Sequence, residues 1–139
     1  MPQSTRSIRD SLLSVSTVFG VNNSATSTNA IDLENSNQDA FPVSENITVQ
    51  IVTTAGTNGA NNKNVNISLQ DSNVNLAANF TNITGLAPIV IPEVAAGYAA
   101  TTRNIALPPG VRRYIRARAV TENAGGNPND GTYTVRVLF

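Results

Sequence analysis

Apolar and polar residues alternate with a period of two in four separate stretches of this chain, and that period constrains the fold more than any other feature. In Ser44–Thr54, Ile47, Val49 and Ile51 fall on one face, with Thr48, Gln50 and Val52 on the other. In Lys63–Gln70, Val65, Ile67 and Leu69 alternate with Asn64, Asn66 and Ser68. Val111–Thr121 places Ile115, Ala117 and Ala119 on one side, and Thr132–Phe139 does the same with Tyr133, Val135 and Val137. Side chains of a strand point to opposite faces in turn, so each stretch predicts a half-buried antiparallel strand. No 3.6-residue pattern runs beyond a couple of turns.

The connecting segments agree. The chain has 19 Asn, 15 Thr and 11 Ser, a polar surface that is mostly uncharged. Asn and Gly favour turns, and Thr favours strands. Ala55–Asn62 carries an Asn58-Gly59 pair and predicts a hairpin with a long loop between the first two strands. Glu122–Gly131 is expected to join the last two strands as a second hairpin. Pro88–Pro92 encloses a short buried strand, and Tyr98–Leu107 forms another before the Pro108-Pro109-Gly110 corner. Six or more short strands separated by turn signals predict an all-β fold over residues 21–139, an antiparallel sandwich or jelly roll.

Residues 1–20 differ and are assigned to an extended N-terminal arm. Ser4–Leu13 could open a short helix capped by Ser4. Arg6 and Arg9 precede Leu12 and Leu13 in the manner of a signal peptide, but the following apolar stretch is short and interrupted by Ser14, Ser16 and Thr17. No segment approaches the roughly 20 apolar residues that a spanning helix needs, so no membrane partner is expected.

Composition also bounds the chemistry. His and Cys are both absent, which removes Ser-His and Cys-His nucleophile pairs and the usual zinc ligands. The one lysine, Lys63, follows Asn61-Asn62 rather than a glycine-rich phosphate loop. Asp32 and Glu34 lie two apart, on one face of a strand, and could serve acid-base chemistry or a calcium ion. One such pair is far from the six or more oxygens calcium takes, and two solvated acids at a strand edge is the simpler account. No enzyme activity, cofactor or metal is therefore expected.

Charge placement is more informative than its sum. Nine basic and nine acidic residues cancel. Yet residues 1–100 hold Arg6, Arg9 and Lys63 against seven acids, whereas residues 101–139 hold six arginines against Glu122 and Asp130. If the last two strands pair, Arg112, Tyr114, Arg116 and Arg118 share an outward face that Arg136 can join. Arg makes directional, bidentate contacts with carboxylates, and Arg and Tyr are enriched at interface cores. A solvated face with cross-strand ion pairs is the plain alternative. Nucleic acid is not expected, because the single lysine and few aromatic residues make a thin basic platform.

Three stretches, in this order and spacing, resemble one family. They are Ser27–Leu33 (STNAIDL), preceded by Asp10–Leu13 (DSLL); Ile47–Val52 (ITVQIV); and Leu107–Arg118 (LPPGVRRYIRAR). Together they are similar to the small capsid cement, or decoration, proteins of tailed bacteriophages. The resemblance implies a jelly-roll-like sandwich that assembles as a homotrimer on the outer surface of the virion and clamps the shell by bridging major capsid protein subunits. On that view Arg6, Arg9, Leu12 and Leu13 of the arm, with Arg112, Tyr114, Arg116, Arg118 and Arg136, supply contacts to the capsid or to sister subunits. The long loops Ala55–Asn62 and Glu122–Gly131 depart from the family. The alternative is a carbohydrate-binding or adhesin-like β-sandwich of a phage fibre or cell surface. Its Asn-rich loops could bond sugar hydroxyls, although the aromatic platform such sites need would have to come from Phe or Tyr, since Trp is absent.

Overall fold

The computed structural model describes residues 13–20, 24–33, 47–55, 64–94, 97–121 and 131–138. Its strands are β1 (Ser14–Val18), β2 (Ala25–Ser27), β3 (Ile31–Asp32), β4 (Thr48–Thr53), β5 (Val65–Ser72), β6 (Thr81–Asn82), β7 (Ile89–Ile91), β8 (Glu93–Val94), β9 (Gly97–Tyr98), β10 (Thr101–Ala106), β11 (Tyr114–Thr121) and β12 (Thr132–Leu138). One 3₁₀ turn, Ala77–Asn79, interrupts them. The first sheet has the order β1-β12-β4-β10 and the second β2-β11-β5-β6, with β3 also on β11 and β7 on β5. Both sheets are antiparallel throughout. Strands β8 and β9 form a separate pair.

The alternation in the sequence maps onto burial. Ile47, Val49 and Ile51, Val65, Ile67 and Leu69, Ile115, Ala117 and Ala119, and Tyr133, Val135 and Val137 are all buried. They meet in one core between the two sheets, joined by Phe19, Ile31, Ile83, Ile91 and Val111. Burying one face of every long strand in this way is the arrangement that a two-layer sandwich requires. The Tyr133 ring stacks on Phe19 at 5.3 Å between centroids.

Connectivity departs from the expected hairpins. Strand β4 lies in the first sheet and β5 in the second, so the two do not pair as a hairpin. The same holds for β11 and β12: β12 inserts between β1 and β4, while β11 lies between β2 and β5. Successive long strands thus change sheet, which is the jelly-roll pattern. The physical reason for the miss is local. A period of two says that one face is covered, but not which sheet covers it.

Residues 13–20, expected to belong to the arm, are part of the sandwich. Leu13, Val15, Thr17 and Phe19 point inward, alternating with exposed Ser14, Ser16 and Val18. The serines that interrupt the apolar run are therefore the polar face of β1, which pairs with β12 from Ser14↔Arg136 to Val18↔Thr132. Arg6, Arg9 and Leu12, the short helix expected over Ser4–Leu13 but for Leu13, and the two long loops but for Ala55 and Gly131 lie outside the described residues. The strand expected over Tyr98–Leu107 divides, with Thr101–Ala106 on β4 and Gly97–Tyr98 on β8.

Candidate interaction face

The outward face of β11 carries the predicted cluster in reduced form. Cross-strand register sets Tyr114 beside Asp32 and Ser72, Arg116 beside Gln70, and Arg118 between Ser27 and Ser68. All three side chains are partly exposed.

Arg116 is held in a cradle. Its Nε donates to Gln70 Oε1 at 3.0 Å and its Nη2 to the Ala77 carbonyl at 3.2 Å. The guanidinium carbon lies 4.2 Å from the centroid of the Phe80 ring, a cation–π geometry over a buried aromatic. Gln70 is itself fixed, donating from Nε2 to Asn82 Oδ1 at 3.0 Å. Partial desolvation and then the charge of Arg118 move the Arg116 guanidinium below its ordinary pKa. Arg118 has no hydrogen-bond or ion-pair partner among the described residues.

The loop that closes this cradle brings apolar residues that no sequence period marked. Ser72 Oγ donates to the Val74 carbonyl at 2.7 Å and accepts the Val74 amide at 3.1 Å. Leu76 then starts the 3₁₀ turn, its carbonyl accepting the Asn79 amide at 2.9 Å. Val74 and Leu76 are left 47% and 58% exposed. Leu76 immediately precedes the residue whose carbonyl binds Arg116. The run NVNLAAN carries its apolar residues two apart, as a strand would, so only the Ser72 turn discloses that both face solvent.

Other predicted residues are placed elsewhere. Arg112 precedes β11 and turns back onto β5, where its backbone amide and Nε each donate to the Asp71 carboxylate at 3.0 Å. Its Nη2 donates to the Asp71 carbonyl at 2.8 Å and also to Thr81 Oγ1. It is a structural clamp rather than part of the free face. Arg136 lies on the opposite sheet, flanked by Ser14 and Gln50, because β12 does not pair with β11. Leu13 is buried in the core and offers no contact surface.

Arg113, which the sequence did not single out, pairs with Asp32 through Nε–Oδ1 at 2.8 Å and Nη2–Oδ2 at 2.7 Å. Its guanidinium lies 5.0 Å from the Tyr114 ring centroid. This bidentate pair occupies Asp32, while Glu34 lies outside the described residues. Among the described residues no group of three or more acids is placed to hold a metal. A cavity of about 180 Å³ beside the Asp71–Arg112 clamp is lined by Thr81, Thr84, Pro109 and Gly110. It is smaller than the roughly 300–1,000 Å³ of typical small-molecule sites.

Several solved structures share the sandwich. The crystal structure of PirA aligns at TM-score 0.50 and 13% identity over 91% of this chain and 94% of that one. A carbohydrate-binding module specific for non-crystalline cellulose, CBM28, aligns at TM-score 0.52 and 12% identity over 88% of this chain and 73% of that one. The K3 adhesin domain of Lys-gingipain from Porphyromonas gingivalis aligns at 0.45 and 14% identity, over 89% and 70% of the two chains. At these identities the likeness is one of fold. No curated protein matches the sequence. A family profile, Bbp16, matches residues 15–136, from the first strand to near the end of the last, and the chain belongs to the Bbp16 family.

Proposed function

We propose that this protein is a non-enzymatic structural protein that docks on the outer surface of a phage head and cements the shell by bridging major capsid protein subunits, assembling as a homotrimer. The observation that carries this reading is the β11 face. Arg116 is immobilised over Phe80, Arg118 has no hydrogen-bond or ion-pair partner among the described residues, and exposed Leu76 is next in sequence to Ala77, whose carbonyl binds Arg116. Fixed arginine beside exposed aliphatic surface is the chemistry of protein interfaces, where Arg and aromatic anchors carry most of the binding energy. The resemblance of LPPGVRRYIRAR to cement proteins supports the same reading. Contacts of modest size, repeated over a shell, gain strength through avidity.

The second reading is a carbohydrate-binding module, and the shared fold with the cellulose-specific module supports it. Such sites stack sugars on exposed aromatic rings. Among the described side chains Phe19, Phe80 and Tyr133 are buried, and Tyr114 is the one aromatic group with partial exposure.

Co-sedimentation of the purified protein with phage heads tests the first reading. The Arg116→Ala/Arg118→Ala double variant is expected to lose most of its occupancy while keeping its fold by circular dichroism. Unchanged occupancy overturns the assignment to this face. Saturable binding on a glycan array, with no binding to heads, favours the carbohydrate reading. Light scattering of the full chain checks the trimer, with a mass of about three chains expected and a monomeric mass at all concentrations refuting pre-assembly.

A further inference from the structure

Building on the docking role of the β11 face, we propose that this face recognises an extended acidic segment of a partner protein, with carboxylates at alternate positions that meet Arg116 and Arg118. Two residues along a strand are separated by roughly 6.6 Å. Side chains at i and i+2 of an extended partner have the same spacing, so two carboxylates two apart can each face one guanidinium. The two arginines differ in what they still offer. A guanidinium has five N–H donors. Arg116 spends Nε on Gln70 and one Nη2 bond on Ala77, keeping its other donors. Arg118 keeps all of its own among the described residues.

Leaving two like charges adjacent is unfavourable, and Arg118 disfavours the charged form of Arg116. The same residue pair therefore gains more from an incoming carboxylate than an already neutralised pair would. The contrast with its neighbours is direct. Arg112 and Arg113 each hold a carboxylate of this chain, Asp71 and Asp32. These pairs occupy two arginines of the β11 region, and among the described residues no carboxylate pairs with Arg116 or Arg118, which suits them to one supplied from outside. Preorganisation favours affinity as well: the cradle of Phe80, Gln70 and Ala77 has already ordered the Arg116 side chain, so binding costs little further entropy there. Protein is favoured over nucleic acid as the partner. The exposed side chain next to the Ala77 carbonyl that binds Arg116 is aliphatic Leu76 rather than a charged residue, and Phe80 lies under Arg116 where a base cannot stack on it.

The test uses the full chain and three synthetic ten-residue peptides with identical flanking Leu and Ser residues. One carries two Glu at alternate positions, one carries them adjacent, and one carries Gln in their place. Binding is followed by NMR through the Arg Nε–H signals, with a ten-nucleotide oligothymidylate as a further probe. The alternate-Glu peptide is expected to bind about tenfold more tightly than the Gln peptide and to move the Arg116 and Arg118 signals together, since charge-assisted bonds are about twice as strong as neutral ones. Arg118→Ala, which breaks no hydrogen bond or ion pair among the described residues, should abolish that preference, and Arg118→Lys should restore part of it. Equal affinity for alternate and adjacent Glu, equal affinity for Gln, or tighter binding of the oligonucleotide each overturns the proposal. Occupancy of Arg118→Ala on heads separates it from the capsid reading. Lost occupancy without peptide discrimination overturns acidic-strand recognition and leaves docking intact. Peptide discrimination with unchanged occupancy supports the recognition and removes its assignment to the capsid.

Discussion

Asp71 holds Arg112 through both backbone and side chain, its carboxylate accepting the Arg112 amide and Nε at 3.0 Å each. Asp71 sits at the inner end of β5, where it is 6% exposed. The contact therefore ties the Pro108–Gly110 corner to the second sheet just before β11 begins. Replacing Asp71 with Ala strands a backbone donor and a guanidinium together. The expected loss is about 3 kcal/mol, within the range for breaking a buried, hydrogen-bonded pair. For a chain of this size that lowers the melting temperature by about 10 °C in calorimetry. Asp71→Asn keeps an acceptor for the amide and should lose clearly less.

Tyr133 links the two sheets, donating its hydroxyl to the Thr26 carbonyl at 2.8 Å from a fully buried ring. Burial raises its pKa above 10.0, with hydrogen bonding to Thr26 and the fields of Arg116 and Arg118 opposing more weakly. The unfolded tyrosine releases its proton near pH 10, while the folded one retains it to higher pH. The stability it contributes is thus complete below pH 10 and falls as pH rises toward the folded value. Urea midpoints between pH 8 and pH 11 should decline more steeply for the native protein than for Tyr133→Phe. At pH 8 that variant should be less stable by about 1–2 kcal/mol, the cost of the lost hydroxyl bonds.

Gly110 has φ +91°, a conformation that a side chain disfavours. With Pro109 before it, the pair has the sequence signature of a type II turn, Pro then Gly. A Cβ at Gly110 would meet nothing within 4 Å, so strain comes from the backbone alone. Gly110→Ala is expected to cost about 1 kcal/mol and Gly110→Asn less, read as shifts in denaturant midpoint.

Arg116 and Arg118 should separate cleanly in stability. Arg116→Ala loses two hydrogen bonds and the Phe80 stack, for an expected cost of about 1–2 kcal/mol. Arg118→Ala should stay within about 0.5 kcal/mol of the native protein. A comparable loss at both positions in chemical denaturation would contradict the view that Arg118 makes no hydrogen bond or ion pair among the described residues.

The sequence by itself determined what each strand buries. Val49 and Ile51, Ile115 and Ala117, and Val135 and Val137 were legible as core because side-chain alternation is a property of a single strand. The Pro109-Gly110 corner was legible for a similar reason, since its backbone preference is local. Tertiary structure alone decided which sheet each strand joins. It sent β12 to the first sheet, carrying Arg136 away from Arg116, and drew Leu13 and Phe19 out of the supposed arm into the core. It also decided the fates of adjacent arginines. Arg112 and Arg113 met carboxylates from β5 and β3, whereas Arg118 lies in register between Ser27 and Ser68. Those partners come from strands 41 to 91 residues away in sequence. Which of them lies beside a given arginine depends on the crossing pattern of the jelly roll, and no local periodicity encodes that pattern.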